Sequence, residues 1–233
     1  MRRAIALIEL IFSIVIISIT LLSVPNMLNS TVKASNNAIT QEAVSNGASH
    51  LEMIMSQYWD EQSIKNNNPI LYVNKGDIEL EEKKDNKGNG LGIRRGSNKE
   101  TPRRFALDLN GTKIYATPTA NFGLDINDSE ADDIDDFTNT GYTLVNRESA
   151  TVDTGEYIDT TISISTLVYY IPDSATYANS IVTFDNPFNT PQVQSSNIKA
   201  IKVTISSNND DKYIVFNGFS CNIGAQTLRR RDF

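Results

Sequence analysis

Residues 4–28 read A-I-A-L-I-E-L-I-F-S-I-V-I-I-S-I-T-L-L-S-V-P-N-M-L, and Glu9 is the only charged residue among them. The run is long enough to span a bilayer, which takes about 20 residues as a helix. A charge near the middle of such a helix costs roughly 2.5–3.5 kcal/mol on insertion scales. Glu9 lies nearer one end, so its cost is smaller, yet a plain anchor would not carry it. An intramembrane carboxylate therefore reads as a functional residue whose partner must be named.

Outward from this run, Arg2 and Arg3 sit just upstream and favour a cytoplasmic N-terminus. Downstream of Pro25 the apolar residues adopt helical spacing: Val32, Ile39, Ala43, Gly47, Leu51, Ile54, Met55 and Tyr58. The spacing predicts one long helix over residues 6–62, with a kink or weak turn near Pro25. Residues 66–150 are polar and irregular, with a flexible loop at 86–92 and a short strand at 113–116. From Thr151 onward the chain is rich in β-branched and aromatic residues, and strands are predicted over 157–171, 200–206 and 213–222. Short connections without helices imply an antiparallel sheet. The predicted fold class is α+β: a long N-terminal helix, transmembrane in its first half, packed on a C-terminal antiparallel sheet. Trp59 and Tyr58 are expected to anchor the helix on that sheet.

The segment Arg2-Arg3-Ala4, followed by Ile5-Ala6-Leu7-Ile8-Glu9-Leu10 and the apolar tail, resembles the class III signal of type IV prepilins and pseudopilins. That resemblance implies cleavage between Ala4 and Ile5 by a prepilin peptidase, N-methylation of Ile5, and an assembly role for Glu9. It implies a pilin-like architecture and divides the chain into a leader at 1–4, a transmembrane and assembly helix at 5–28, and its amphipathic continuation at 29–62. An irregular region at 63–150 and the sheet at 151–233 complete the division. Its implied partners are other pilin or pseudopilin subunits through the N-terminal helix, an inner-membrane assembly platform and the lipid bilayer. Ala4 stands where the family usually has Gly, Ile5 where it has Phe, and Pro25 one residue early. Such departures point to a minor subunit of a type IV pilus-like or type II secretion filament, with its C-terminal domain in the periplasm.

Composition narrows the alternatives. The chain has 233 residues and a net charge of -7, so nucleic acid is not an expected partner. One cysteine, Cys221, allows no internal disulfide, and with a single histidine, His50, Cys/His catalysis and a Cys/His zinc site are excluded. No G-x-S-x-G or H-E-x-x-H motif is present, and the expectation is a protein without enzymatic activity. A basic group, Arg94-Arg95, Lys99 and Arg103-Arg104, is read as a surface patch facing the acidic segment; Arg229-Arg230-Arg231 reads as a solvated tail.

That acidic segment, residues 125–137, holds seven carboxylates. Hard oxygen ligands at this density suit Ca²⁺. Asp125, Asn127, Asp128, Asp132, Asp133, Asp135 and Asp136 are the candidate ligands, although Glu130 occupies the glycine position of an EF-hand and Asp136 its bidentate glutamate position. A solvated acidic loop is the first expectation, a calcium site the second. The stretch Asp132-Asp133-Ile134-Asp135-Asp136-Phe137 with Gly141-Tyr142 also resembles minor pilins of the mannose-sensitive haemagglutinin pilus, which would bury Ile134 and Phe137 and leave the carboxylates capping or solvated. A signal-anchored periplasmic binding domain with a calcium-binding acidic loop is the alternative function.

Overall fold

The computed structural model describes residues 2–65, 69–98, 101–124, 130–146, 160–182, 187–208 and 210–224. The chain forms two compact units, Met1–Asn46 and Gly47–Phe233. A single helix, α1 (Arg2–Met55), contributes to both.

Within the first unit α1 runs unbroken through Pro25. Its apolar side chains face outward throughout, from Ile8 and Phe12 to Leu22 and Met27. The hydroxyls between them are satisfied locally. Ser13 Oγ donates to the Glu9 carbonyl at 2.9 Å, Ser18 Oγ to Ile14 at 2.7 Å and Thr20 Oγ1 to Ile17 at 2.8 Å. A helix with its polar groups tied to its own backbone and its apolar groups exposed suits lipid. It is the one helix among the described residues long and apolar enough to cross a membrane.

The second unit is built on a four-stranded antiparallel sheet in the order β3-β4-β5-β6. Its strands are β3 (Gly141–Asn146), β4 (Thr160–Tyr170), β5 (Ile198–Ser207) and β6 (Asp210–Cys221). Register places Ile164 opposite Ile205, Val168 opposite Ile201 and Tyr170 opposite Lys199. Because paired residues share a face, Ile162, Ile164, Val168, Ile201, Val203 and Ile205 form one buried layer. The last turns of α1 lie on it. A β-carbon added to Gly218 would sit 2.9 Å from Leu51 Cδ1 and 3.0 Å from Met55 Sδ, so the missing side chain is what lets helix and sheet approach. The other face carries Tyr169, Ile171, Ile198 and Ala200 under Phe188 and Cys221.

Three expectations need correction. The long helix ends at Met55 and not near residue 62, because Ser56 Oγ folds back on the Met53 carbonyl and Tyr58 enters a parallel bridge with Asp133. A separate short helix, α2 (Glu61–Lys65), follows, with Asp60 accepting the Gln62 N–H at its start. The loop at 86–92 is the turn and return strand of a hairpin, β1 (Glu82–Lys84) with β2 (Gly90–Arg94). Asp85 Oδ1 accepts the N–H groups of Lys87 and Asn89, and Gly88 takes the left-handed conformation that the turn needs. The strand expected at 113–116 is reduced to bridges, Leu107 with Lys113 and Tyr72 with Tyr115.

Candidate functional site

Two places carry chemistry. The first is the N-terminal part of α1. Glu9 projects from the helix between Ile8 and Leu10, themselves more than half exposed, and forms no ion pair among the described residues. The backbone at Ala4 and Ile5 is helical, and their side chains lie outside the described residues.

The second lies beneath the sheet and centres on Lys199, which no sequence signal had singled out. Lys199 is the second residue of β5, in phase with Ile201, Val203 and Ile205, so the strand's alternation aims it into the core. It is wholly buried. Its Nζ donates to the Trp59 carbonyl at 2.6 Å, pairs with Asp60 Oδ2 at 3.1 Å, and touches Asp135 Oδ1. Aromatic rings close the space: Trp59 at 4.5 Å from Nζ to centroid, Phe122 at 5.2 Å and Tyr170 at 5.8 Å. Tyr170 Oη donates to the Thr117 carbonyl, and Trp59 Nε1 to Ser220.

The carboxylates are positioned by short-range backbone geometry. The 3-10 turn Asp135–Phe137 is held by Asp133 Oδ1, which accepts the N–H groups of Asp135 at 2.8 Å and Asp136 at 3.2 Å. Asp136 Oδ2 accepts in turn from Asp132 and Asp133. Thr138 Oγ1 then clips the turn to β4, donating to the Val168 carbonyl and accepting the Val168 N–H. Asp60 is fixed by Gln62 N–H, Thr117 N–H at 2.9 Å and Thr117 Oγ1 at 3.2 Å.

Electrostatics follow from burial. Desolvation, with the neighbouring Asp135 charge adding to it, pushes Asp133 up to about 8, which favours its protonated form. Desolvation raises Asp135 as well. Lys199 is held above its ordinary value because Asp135, Asp60 and Asp133 together outweigh the burial that would lower it.

The acidic segment is thus not a solvated loop where it is described. Asp133, Asp135 and Asp136 are buried, Ile134 is fully buried and Phe137 half-buried, while Glu130 and Asp132 remain exposed. Asp125, Asn127 and Asp128 lie outside the described residues. Asp133, Asp135 and Asp136 turn toward backbone N–H groups and Lys199, and among the described residues no group of three His, Cys, Asp or Glu side chains is placed to hold a metal ion. In the expected basic patch, Arg94 and Arg103 stay together, the Arg94 N–H donating to the Arg103 carbonyl at 3.0 Å. Arg94 is buried and donates to the Leu80 carbonyl, the Asn222 carbonyl and Asn197 Oδ1, so it ties loops to the sheet end and does not face the acidic segment. Lys99 and the arginines at 229–231 fall outside the described residues. Trp59 is buried as expected, whereas Tyr58 is half-exposed and joins through its backbone. Comparison with known families, with curated proteins and with solved structures gives no match.

Proposed function

We propose that the protein is a minor pilin or pseudopilin, a structural subunit of a type IV pilus-like or type II secretion filament. The observation that carries this reading is Glu9, exposed on an apolar helix and without an ion pair among the described residues. In this reading the subunit first waits as a single-pass membrane protein, its N-terminus in the cytoplasm and its sheet-bearing unit in the periplasm. Prepilin peptidase cuts between Ala4 and Ile5 and Ile5 is N-methylated. The assembly platform then moves the helix from lipid into a bundle of like helices. That transfer costs little, because packing contacts replace lipid contacts. Glu9 gains the Ile5 amine of a neighbouring subunit as its cation. A buried pair of this kind contributes little raw stability, and its role is to set axial register.

Mass spectrometry of the mature N-terminus tests the reading. N-methylated Ile5 is expected. An intact Met1, or a new terminus near Ser23, would overturn it in favour of a signal-anchored domain.

A further inference from the structure

We propose that Lys199 and Asp135 condense into an intramolecular amide, an isopeptide bond joining the start of β5 to the turn before β3. This inference stands apart from the role of the N-terminal helix. Three features of the site carry it.

First, nucleophile and electrophile already touch. Lys199 Nζ lies against Asp135 Oδ1, and the Trp59 carbonyl and Asp60 Oδ2 hold it there from the other side. Holding two reacting groups in contact makes a slow bimolecular condensation effectively unimolecular. Second, water is excluded. Lys199 and Asp60 are fully buried, Asp135 nearly so, and Trp59, Phe122 and Tyr170 wall the ammonium. Burying separate charges is costly there, and a neutral amide removes two of them. Scarce water also disfavours the reverse reaction. Third, the site supplies both a base and an acid. Asp60 accepts from Gln62 and the two Thr117 donors, and its Oδ2 lies 3.1 Å from Nζ, placed to take a proton from it. Asp133 faces Asp135, and its burial favours the protonated form, so it is the acid.

The chemistry balances without any other reactant. Asp60 takes one proton from the Lys199 ammonium while Asp133 lends its proton to the Asp135 carboxylate. The free amine adds to Asp135 Cγ, forming the N–C bond. The tetrahedral nitrogen returns a proton to Asp133. The Cγ–Oδ bond then breaks as Asp60 passes its proton to the departing hydroxyl, which leaves as water. Ammonium and carboxylate have become amide and water, Asp60 and Asp133 are as they began, and nothing is oxidised or reduced. Asp135 is the partner and not Asp60, because Asp135 Oδ1 lies closer to Nζ than Asp60 Oδ2 does.

The test is peptide mapping by mass spectrometry of the full chain, extracted from membranes and denatured. The expected product is a branched tryptic peptide, one water lighter than its two arms, joining Lys199 to Asp135 and uncleaved after Lys199. Asp133→Asn, which keeps the shape but removes the acid, should lose most of the branch, and Asp135→Ala all of it. Mapping needs no folded sample, so the wild-type result decides even if a variant misfolds. Separate linear peptides with free Lys199 and Asp135 would overturn the bond. A one-water deficit confined to a linear Asp135 peptide, the mark of a succinimide, would overturn it too. A branch undiminished in Asp133→Asn would overturn the assignment of Asp133 as proton donor.

Discussion

Replacing Lys199 with methionine tests whether the buried cluster holds the second unit together. Methionine keeps an unbranched apolar stem, one atom shorter, but removes the ammonium that packs against Trp59, Phe122 and Tyr170. Asp60 and Asp135 are then buried without their counter-ion, and the Trp59 carbonyl loses a donor at 2.6 Å. Removing one partner from a buried ion pair costs about 3–5 kcal/mol. If the contact is an amide, the variant instead loses a closed loop of 64 positions, worth about 4 kcal/mol in the chain-entropy account. A domain's whole stability is about 5–15 kcal/mol, so the loss is a large share of it. For a unit of this size the melting point should fall on the order of 10 °C. Trp59 is the chain's only tryptophan and lies in the site, so its emission in detergent-solubilised protein reports the transition directly. Acid should rescue the variant in part. Without the cation the orphaned carboxylates bind protons more tightly when folded than when unfolded, so stability rises as pH falls. A loss below about 1 kcal/mol, or one indifferent to pH, would refute the electrostatic reasoning.

The wild type should itself respond to pH through Asp133. Its folded pKa lies above its ordinary value, so the folded state keeps a proton that the unfolded chain releases. That contribution is present below about pH 4 and is lost as pH rises toward 8; urea midpoints at pH 5 and 8 should show the decline, and Asp133→Asn should flatten it. Gly218→Val pushes a side chain into Leu51 and Met55, and overpacking should cost about 1–3 kcal/mol in denaturant unfolding. Glu9→Leu should leave membrane insertion intact by fractionation and abolish recovery in sheared filaments; normal incorporation would sink the register role.

Legibility followed the range of the interactions. The helix was readable because its apolar run and periodicity are local, and β4 to β6 because β-branched alternation is local. The strand β3 escaped because it is an edge whose residues are mostly exposed, so Gly-Tyr-Thr-Leu-Val-Asn gives no alternation of burial. The hairpin of β1 and β2 escaped because glycine and asparagine mark both tight turns and loose ones. At the buried cluster, the acidic stretch was visible and its counter-ion was not. Lys199 stands 64 positions from Asp135, and only the register of β5 against β4 brings it there. One signal was available: a lysine in step with Ile201, Val203 and Ile205 must either break the strand's pattern or meet carboxylates inside.

Force offers a reading of the cluster that neither mass nor equilibrium stability gives. A filament subunit of the proposed kind is pulled through α1, whose last turns pack on Gly218 and Ile205 and whose exit at Trp59 and Asp60 meets Lys199. A lone Cys221 leaves no internal disulfide to limit extension once the sheet yields. An amide between Lys199 and Asp135 would take that place, sealing the chain from β3 through β4 into a loop that tension bypasses. Sixty-four positions at 3.3–3.6 Å each make roughly 210–230 Å of contour, and that length should be missing when the chain is stretched from its ends. Asp135→Ala should restore it in single-molecule pulling. Equal contour lengths for the two proteins would mean that the contact under the sheet is ionic only, and that the unit resists load by packing alone.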